Sequence, residues 1–345
     1  MNPQMIPEVS IVMPIKNQEP FLEECLNSIQ KQTKQDWELI VVDDHSDDQS
    51  SSILSIWAKK EPRIRTFENP GSGIVDALNF GISKSNSDII ARMDGDDLMH
   101  PNRLEEQSKF LQQNQALGVV SCEVTQFSHS KENRGEGYAH HVDWTNQIHS
   151  PDEHKAYRFV DCLFAHPSVL FRKKLVTEYG GYRKGDHPED FELWLRWLSK
   201  GVHMEKIPQK LLWWRDHPDR TSRISKRYDR AAFHRIKAQY LKVWLKKENP
   251  LGDRKLFAWG AGRVARKLIS EITGIGVSID ALIDLDSKKI GKDFQGIPIL
   301  SHLSITSPKN CFLLVLVGSR GAREEITKFL EARDFVIGKD FIPLE

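Results

Sequence analysis

The sequence has 345 residues, of which 28% are charged and 39% belong to the hydrophobic set. This length suggests about two domains, and the composition is typical of a soluble globular protein. Lys and Arg total 49 and Asp and Glu total 48, for a net charge of +1. That balance argues against a nucleic-acid binder that works through bulk charge.

The cysteines and the apolar segments bear on location. No C-x-x-C pair occurs, which favours a reducing compartment and argues against a zinc site; the cysteines are Cys25, Cys122, Cys162 and Cys311. The start of the chain lacks the pattern of a signal peptide. The longest apolar run, "CFLLVLV" at 311–317, is far shorter than the roughly 20 residues of a membrane helix. We therefore expect a cytosolic protein that can still contact a membrane from that side.

The first 114 residues alternate between strand and helix patterns. Apolar β-branched runs predict strands over 9–15, 39–42, 64–67 and 88–93. Helical periodicity predicts helices over 19–33, 51–60, 73–85 and 101–114. Alternation at this spacing predicts βαβ units on a mostly parallel sheet, that is, an α/β fold.

The rest of the chain contains a second α/β pattern. Residues 125–161 are polar, and we expect loops and short elements there. Helices are predicted over 172–180 and 188–201, and a long basic helix from about Ser222 to Lys247. A charged stretch at 246–253 with Pro250 and Gly252 reads as a linker. The predicted domains are therefore 1–248 and 249–345, the second with strands and helices over 255–259, 260–272, 278–286, 311–319 and 322–334.

Acidic residues follow two of the predicted strands. Asp43 and Asp44 end the second strand, and Asp94, Asp96 and Asp97 follow "IIARM". Ligands of open parallel sheets bind beyond the carboxyl ends of the strands. Clustered carboxylates repel one another there, and a bound Mg²⁺ or Mn²⁺ would remove the conflict. The alternative is a solvated turn in which Asp and Gly serve turn chemistry.

Four successive segments resemble the motifs of the family 2 glycosyltransferases, which have the GT-A fold. They are "VSIVMPIKN", "LIVVDDHSDD", "ALNFGISKSNSDIIARMDGDDLMHPNRLEEQ" and "EDFELWLRW", and the resemblance covers about residues 8–222. It implies a nucleotide-diphospho-sugar donor, with a UDP-sugar expected, and an Mn²⁺ or Mg²⁺ cofactor. The sugar would pass with inversion to an acceptor hydroxyl on a glycan or lipid-linked molecule, in polysaccharide or glycoconjugate synthesis.

The resemblance also implies roles for single residues on the donor side. It places Pro14 and Lys16 near the base and ribose and matches Asp44 to the acid that reads the nucleobase. Asn79 lies in the third motif and is assigned to donor binding. Asp43 is assigned there as well, with holding the loop as the alternative. Many relatives have an aromatic residue at the position of Lys16 and a basic residue near Gly73, and this sequence has neither.

The same resemblance implies the metal site. Asp94 and Asp96 match the Asp-x-Asp pair, with Asp96 as the direct metal ligand and Asp94 also near the ribose and diphosphate. Asp97 is expected to support the pair or to cap the following helix. In the loop "WWRDHPDRTSR", His217 is nominated as a metal ligand and Arg220 as a contact of the donor diphosphate, because the leaving group needs positive partners.

The reaction needs a base, since the acceptor hydroxyl loses its proton as it attacks. Asp190 in "PEDFELWLRW" matches the catalytic base of the family, and Glu189 is its neighbour at the acceptor or in the supporting loop. The alternative is that both acids stabilise the positive end of the helix dipole. Trp194 and Trp197 are expected in the core. His166 is expected either near the acceptor or packed in the core.

The C-terminal part carries a second fingerprint. "FAWGAGRVA" fits G-x-G-x-x-A with Gly260, Gly262 and Ala265, and Asp284 and Asp286 end the next strand. The segment resembles the small Rossmann-like domains beside sugar-modifying enzymes. We interpret it as an accessory nucleotide or sugar-nucleotide module, or a partner-binding one.

Two further alternatives concern the whole chain, and one concerns the basic helix. The protein could be an NAD-type oxidoreductase that uses the C-terminal fingerprint, or a non-catalytic scaffold with a GT-A-like fold. The basic helix over 222–247 carries an apolar stripe and could lie on an anionic membrane. The favoured alternative is that the stripe packs on the protein and leaves a solvated basic face.

Overall fold

The computed structural model describes residues 6–128 and 136–345. The chain forms two compact units that alternate along the sequence. The first comprises the residues up to Pro151 together with Phe164–Lys184 and Lys200–Ile224, and the second comprises Asp152–Leu163, Gly185–Ser199 and Ser225–Glu345. The sequence predicts a boundary between residues 248 and 249, and that boundary stays a prediction.

The first unit is built on an eight-stranded mixed sheet within the described part of the chain. Its strands are β1 (Val9–Ile15), β2 (Trp37–Asp43), β3 (Ile64–Glu68), β4 (Ile89–Arg92), β5 (Leu98–Met99), β6 (Leu117–Phe127), β7 (Leu170–Arg172) and β8 (His203–Arg215). Their order is β3-β2-β1-β4-β7-β6-β8-β5. Strands β3, β2, β1 and β4 pair in parallel, whereas β7 is antiparallel to β4 and β6.

The helices of this unit follow their apolar periodicity. They are α1 (Glu19–Gln30), α2 (Ser50–Lys60), α3 (Ile74–Lys84), α4 (Arg103–Gln113), α5 (Glu136–Asn146), α7 (Lys174–Tyr179) and α9 (Thr221–Ile224), with α6 (Pro151–Tyr157) starting at the end of the first segment. Strands β1 and β2 are buried throughout, as expected for parallel strands covered on both faces. Because β1, β2 and β4 are parallel, their carboxyl ends lie at one edge, and this edge carries the acids that follow β2 and β4.

The stretch at 125–161 is expected to form loops and short elements. In the structure β6 extends to Phe127, and the helices α5 and α6 occupy most of 136–157. Residues 129–135 of that stretch lie outside the described residues. The long strands β6 and β8 pair with each other in parallel with register shifts, which interrupt the alternation of buried and exposed side chains that identifies a strand.

The second unit contains a six-stranded sheet in the described chain, covered by helices. Its strands are β9 (Lys255–Trp259), β10 (Ala281–Asp284), β11 (Asp293–Phe294), β12 (Ile297–Ser301), β13 (Cys311–Val315) and β14 (Phe341–Pro343), in the order β11-β12-β10-β9-β13-β14. All pairs but β11 with β12 are parallel. The helices are α8 (Glu189–Ser199), α10 (Arg230–Glu248), α11 (Arg263–Gly274) and α12 (Ala322–Glu331).

The long basic helix begins later than predicted. Helix α10 starts at Arg230 and not near Ser222, because the Asp229 side chain accepts a hydrogen bond from the Ala232 amide at 2.7 Å and caps the helix. Its apolar stripe is buried within the second unit, where Trp244 packs against Phe159 and Phe312. Across the described chain, none of the helices has both the length and the apolar character needed to cross a bilayer.

Candidate functional site

The acidic turn after β4 brings three carboxylates together. Oxygen atoms of Asp94, Asp96 and Asp97 all lie within 4.8 Å of one another. Gly95 lets the turn pass close to β1, because a Cβ there would lie 3.0 Å from Ile15 Cγ2. A side chain at this position would push the acids away from the loop that follows β1.

The electrostatics of the turn reflect this crowding. Burial raises the pKa of Asp97 well above its usual range, and the charges of Asp96 and Asp94 raise it further. Burial also raises the pKa of Asp94, although its ion pair with the buried Arg92 opposes the effect. Burial acts in the same direction on Asp96, but a hydrogen bond from His217 and the charge of Arg220 outweigh it and lower the pKa.

Asp97 is the most deeply buried member of the group, at 1% exposure. Its Oδ1 accepts a hydrogen bond from the Arg215 amide at 2.7 Å, at the end of β8. It does not cap α4, whose N-cap position is Asn102. The other oxygen, Oδ2, is buried without a hydrogen-bond partner among the residues that the structure describes. A buried acceptor left in this way is costly, and a cation held by the neighbouring acids would offset part of that cost.

His217 and Arg220 lie beside the acidic turn, as the sequence predicts. His217 Nε2 lies 2.9 Å from Asp96 Oδ2, and the imidazole packs on Phe21 with ring centroids 4.8 Å apart. Arg220 packs over Trp214 at 4.5 Å and donates a hydrogen bond to the Arg215 carbonyl at 2.9 Å. An imidazole nitrogen and three carboxylates form a donor set that suits a divalent cation.

Asp44 is held in one orientation at the neighbouring strand end. Its Oδ1 accepts hydrogen bonds from Asn69 Nδ2 at 2.6 Å and from the Gly73 amide at 2.8 Å. The Asn69 side chain also accepts from the Gly71 amide at 3.1 Å, so it ties the 69–73 loop to Asp44. Oδ2 of Asp44 lies 4.0 Å from Nζ of Lys16, and the Lys16 side chain is 60% exposed. This carboxylate is therefore oriented before any ligand binds.

The other donor-side candidates make contacts within the fold. Asp43 accepts hydrogen bonds from the hydroxyls of Ser46 and Ser51, which is the loop-holding role given as its alternative. Pro14 lies inside the buried strand β1. The Asn79 side chain bonds both backbone groups of Tyr182, donating at 2.9 Å and accepting at 3.0 Å. Their predicted roles in donor binding stay predictions.

The acids that begin α8 belong to the second unit, and they differ in exposure. Asp190 Oδ1 accepts a hydrogen bond from the Phe191 amide at 2.7 Å, and its Oδ2 lies 3.5 Å from Cys162 Sγ. Glu189 is buried, and both of its carboxylate oxygens lie 2.8 Å from Tyr228 Oη. Glu189 thus supports the start of the helix, whereas Asp190 is partly exposed.

Three other sequence-selected side chains are buried. Trp194 and Trp197 pack edge to face with centroids 5.6 Å apart, as expected for core residues. His166 in the first unit bonds the Tyr182 hydroxyl at 2.7 Å. Burial and the nearby Arg92 charge lower the pKa of His166 well below its usual range. His166 is therefore packed as a neutral side chain, the second of its two predicted alternatives.

The C-terminal fingerprint folds as a tight turn between β9 and α11. Gly260 has φ of 121°, and a Cβ there would lie 3.0 Å from Val317 Cγ2, so glycine is required. Gly262 is the N-cap of α11. Asp284 accepts hydrogen bonds from the Ala261 amide at 2.9 Å and from Lys289 Nζ at 3.1 Å. Its carboxylate is thus used inside the fold, and its predicted part in nucleotide binding stays a prediction.

Sequence reasoning missed three residues that hold the candidate side chains. Asn69 orients Asp44, Tyr228 bonds Glu189, and Cys162 contacts Asp190. The Asn-Pro-Gly turn at 69–71 gave a signal for the first, because such turns mark loops that follow strands. Tyr228 and Cys162 lie far from α8 in sequence, so no local pattern connects them to it.

Family models match both parts of the chain. The model described as "Glycosyl transferase family 2" matches residues 10–180, and the one described as "C2185-like, N-terminal" matches residues 252–337. The chain is 31% identical over 227 residues to EpsE of Bacillus subtilis, covering 64% of this chain and 78% of that protein. It is 28% identical over 248 residues to the O-antigen biosynthesis glycosyltransferase WbnJ of Escherichia coli, covering 70% and 92%.

A third relative and two solved structures extend the comparison. The chain is 29% identical over 238 residues to the Escherichia coli UDP-Gal:alpha-D-GlcNAc-diphosphoundecaprenol beta-1,3-galactosyltransferase, covering 68% and 82%. Its fold is similar to Staphylococcus aureus TarS 1–349 in complex with UDP-GlcNAc, with TM-score 0.53, 15% identity and 77% and 81% coverage. The mannosyltransferase PcManGT of Pyrobaculum calidifontis, in complex with GDP-Man and Mn²⁺, gives TM-score 0.50, 21% identity and 71% and 65% coverage.

These similarities confirm the GT-A fold predicted for the first part of the chain. The protein is an enzyme of the glycosyltransferase class. The chain belongs to the family 2 glycosyltransferases.

Proposed function

We propose that this enzyme is a metal-dependent, inverting glycosyltransferase that moves a sugar from a UDP-sugar to an acceptor hydroxyl. The observation that carries the proposal is the group of Asp94, Asp96 and Asp97, with a buried Asp97 oxygen that has no hydrogen-bond partner in the described chain. Negative charge that the fold does not fully neutralise is expected where a cation and a donor diphosphate bind.

The donor side is proposed to lie along the carboxyl ends of β1, β2 and β4. Asp44, already oriented by Asn69 and Gly73, accepts from the nucleobase through its Oδ2. Lys16, which is mostly exposed, lies within 4.0 Å of that oxygen and is available to the base or ribose. The TarS structure is a complex with UDP-GlcNAc, and the name of one relative begins with UDP-Gal. Both support a UDP-sugar donor here.

The residues proposed to hold the metal are Asp96, Asp94 and His217. When bound, Mn²⁺ or Mg²⁺ would neutralise negative charge on the diphosphate leaving group. Arg220 adds a fixed positive charge on the same side, because it packs on Trp214 beside the acidic turn. PcManGT, which has a similar fold, binds Mn²⁺ together with GDP-Man.

Asp190 is proposed as the general base that accepts the proton of the acceptor hydroxyl. It is the partly exposed acid in the first turn of α8, whereas Glu189 and Glu192 are both buried. A carboxylate in this state can accept a proton from a hydroxyl as attack proceeds. Attack on the face opposite the leaving diphosphate would give inversion at the anomeric carbon.

The proposed setting is the synthesis of a surface polysaccharide or glycoconjugate on a glycan or lipid-linked acceptor. WbnJ is named for O-antigen biosynthesis, and another relative is named for a diphosphoundecaprenol-linked acceptor. Such an acceptor would bring the enzyme to the cytoplasmic face of a membrane. The proposed contact with the membrane is the exposed face of α10, which includes Arg235, Lys242, Val243 and Lys246. Absence of binding to anionic liposomes at low salt would contradict this contact.

For residues 249–345 we propose a Rossmann-like accessory module. The parallel order β12-β10-β9-β13-β14 and the Gly260–Gly262 turn into α11 support this reading. Titration of the full chain with NAD(H) and UDP-sugars, comparing wild type with Gly262→Val, tests whether the turn binds a nucleotide. A heat signal that the substitution removes would support binding there, and the absence of any signal from that unit would favour a partner-binding module.

The main proposal is tested by measuring donor turnover with UDP-, GDP- and dTDP-sugars in the presence of Mn²⁺. Wild type is compared with Asp96→Ala and Asp190→Ala, and Lys59→Ala on the exposed end of α2 serves as a control. We expect turnover with UDP-sugars that both active-site substitutions abolish and the control retains. Absence of binding and turnover with every donor would overturn the proposal.

A further inference from the structure

Helix α8 begins with a buried acid that is bonded to a tyrosine. Glu189 is 1% exposed, and Tyr228 Oη lies 2.8 Å from each of its carboxylate oxygens. Arg227 Nη1 lies 3.5 Å from Oε2. Tyr228 and Arg227 belong to the short 3-10 helix Lys226–Tyr228, which Ser225 caps. The start of α8 is thus bonded to a segment 38 residues further along the chain.

A second tyrosine makes a similar contact one turn later on the same helix. Tyr240 Oη donates a hydrogen bond to Glu192 Oε1 at 2.5 Å. Glu192 is also paired with Arg196, whose Nε and Nη2 each lie 2.9 Å from one of its oxygens. Helix α8 therefore carries two buried glutamates, each bonded to a partly buried tyrosine, and only the first is adjacent to Asp190.

Asp190 depends on its first turn for its position. The first amides of a helix have no partner one turn earlier, so helix starts are held by side-chain contacts. The Asp190 carboxylate contacts the Phe191 amide at 2.7 Å and Cys162 Sγ at 3.5 Å. Its immediate neighbour Glu189 connects the same helix start to Tyr228.

We infer that Tyr228 and Glu189 are positioning residues that hold Asp190 in the geometry needed to take the acceptor proton. The inference rests on the proposed function, in which Asp190 is the base. Of the two expected roles of Glu189, contact with the acceptor or support of the loop, the inference adopts the supporting one. A buried carboxylate whose two oxygens both lie near Tyr228 Oη is directed into the protein.

The test compares Tyr228→Phe with Tyr240→Phe in the full-length enzyme. Each substitution removes one hydroxyl that bonds a buried glutamate of α8, so the two have comparable structural consequences. We measure kcat and the acceptor KM for transfer, the Kd of UDP with Mn²⁺, and Tm. Tyr228→Phe should lower kcat about tenfold, since small displacements of a catalytic group are costly, and leave the acceptor KM and the UDP Kd unchanged. Both variants should lower Tm by similar amounts, and Tyr240→Phe should retain the wild-type kcat.

Glu189→Gln gives a second readout that does not depend on the first variant. It keeps an acceptor oxygen for Tyr228, so kcat should fall only a few-fold and the acceptor KM should not change. The double variant Tyr228→Phe/Glu189→Gln should lose no more than Tyr228→Phe alone, because both act through one bond. If Tyr228→Phe does not fold, Glu189→Gln alone decides through the split between kcat and KM.

The outcomes separate this inference from the proposed function. Equal kcat values for Tyr228→Phe and Tyr240→Phe would overturn the positioning role, and so would a raised acceptor KM in Glu189→Gln. If Asp190→Asn kept the wild-type kcat, or if wild type transferred no sugar, the proposed function itself would fail.

Discussion

The two sheets end in acids at their carboxyl edges, and the two edges treat those acids in opposite ways. In the six-stranded sheet, Asp284 accepts from the Ala261 and Asp286 amides and pairs with Lys289 at 3.1 Å. In the eight-stranded sheet, Asp94, Asp96 and Asp97 crowd together within 4.8 Å. The edge of the six-stranded sheet is electrostatically complete within the fold, and the edge of the eight-stranded sheet is not.

This difference shows which acids the fold itself requires. The contacts of Asp284 connect the glycine turn to β10, so its charge supports local structure. The buried Asp97 oxygen has no such partner within the described chain. Burial and the charges of Asp96 and Asp94 raise the pKa of Asp97, so its charged form opposes folding. An arrangement that costs stability at the edge of a sheet is expected where a ligand compensates for it, which fits the proposed site.

The sharpest way to break the comparison is Asp96→Asn against Asp284→Asn. We expect Asp96→Asn to lower sugar transfer about 1,000-fold, because it removes a proposed ligand of the ion that neutralises the leaving group. Asp284→Asn should retain wild-type transfer. Turnover with Mn²⁺, together with the increase in Tm that Mn²⁺ produces, measures both. Equal losses in the two variants would show that the edges do not differ in function.

Asn69→Ala tests whether Asp44, at the edge of the eight-stranded sheet, is oriented before the donor binds. It removes one of the two hydrogen bonds to Asp44 Oδ1 and loosens the 69–73 loop. The donor KM should therefore rise about tenfold with kcat nearly unchanged, the cost of one hydrogen bond to a charged group. Asn27→Ala is the control, because Asn27 only donates to the Glu23 carbonyl on the exposed face of α1. A donor KM equal to that of the control would contradict the role of Asn69.

The parallel half of the first sheet could be read from the sequence for a physical reason. Strands β1 and β2 are buried throughout, so they appear as continuous apolar runs, and the helices between them repeat with helical period. The same pattern predicted that the acids after β2 and those after β4 lie at one edge, because parallel strands end at the same side of a sheet.

The remaining half could not be read locally. Strand β8 mixes buried and exposed residues and contains Pro208, and its pairing with β6 shifts register. Its pattern therefore resembles neither a strand nor a helix. The supports of the site are likewise non-local: Tyr228 meets Glu189 and Cys162 meets Asp190 only because distant segments pack together. The start of α10 was misplaced because its basic residues continue upstream of the Asp229 cap.

As pH rises, the contributions of Asp97 and Asp284 to the free energy of unfolding should change in opposite directions. The raised pKa of Asp97 contributes stability that is present below about pH 4 and lost as pH rises through the folded value. For Asp284, burial opposes the backbone and Lys289 contacts that lower its pKa, so its contribution is present above about pH 4 and lost as pH falls. With a chelator at pH 7, Asp97→Asn should raise the free energy of unfolding by about 1 kcal/mol, and Asp284→Asn should lower it by about 1 kcal/mol. Urea titrations at pH 4 and pH 7 measure this, and equal signs at pH 7 would contradict it.

The smallest expected effect concerns the ion pair between Lys289 and Asp284 at the edge of the six-stranded sheet. Lys289 is about a third exposed where it pairs with Asp284, so solvent screens the pair and Lys289→Ala should cost under about 1 kcal/mol of unfolding free energy. The cost should shrink further in 1 M salt, at which screening acts over about 3 Å. Urea unfolding at low and high salt gives both values. The Ala261 and Asp286 amides bond Asp284 independently of salt and remain in the variant. A loss of unfolding free energy that is larger than this, or that does not depend on salt, would mean that these amides do not hold Asp284 without Lys289. The edge of the six-stranded sheet would then depend on a positively charged partner, as the edge of the eight-stranded sheet is proposed to depend on a bound cation.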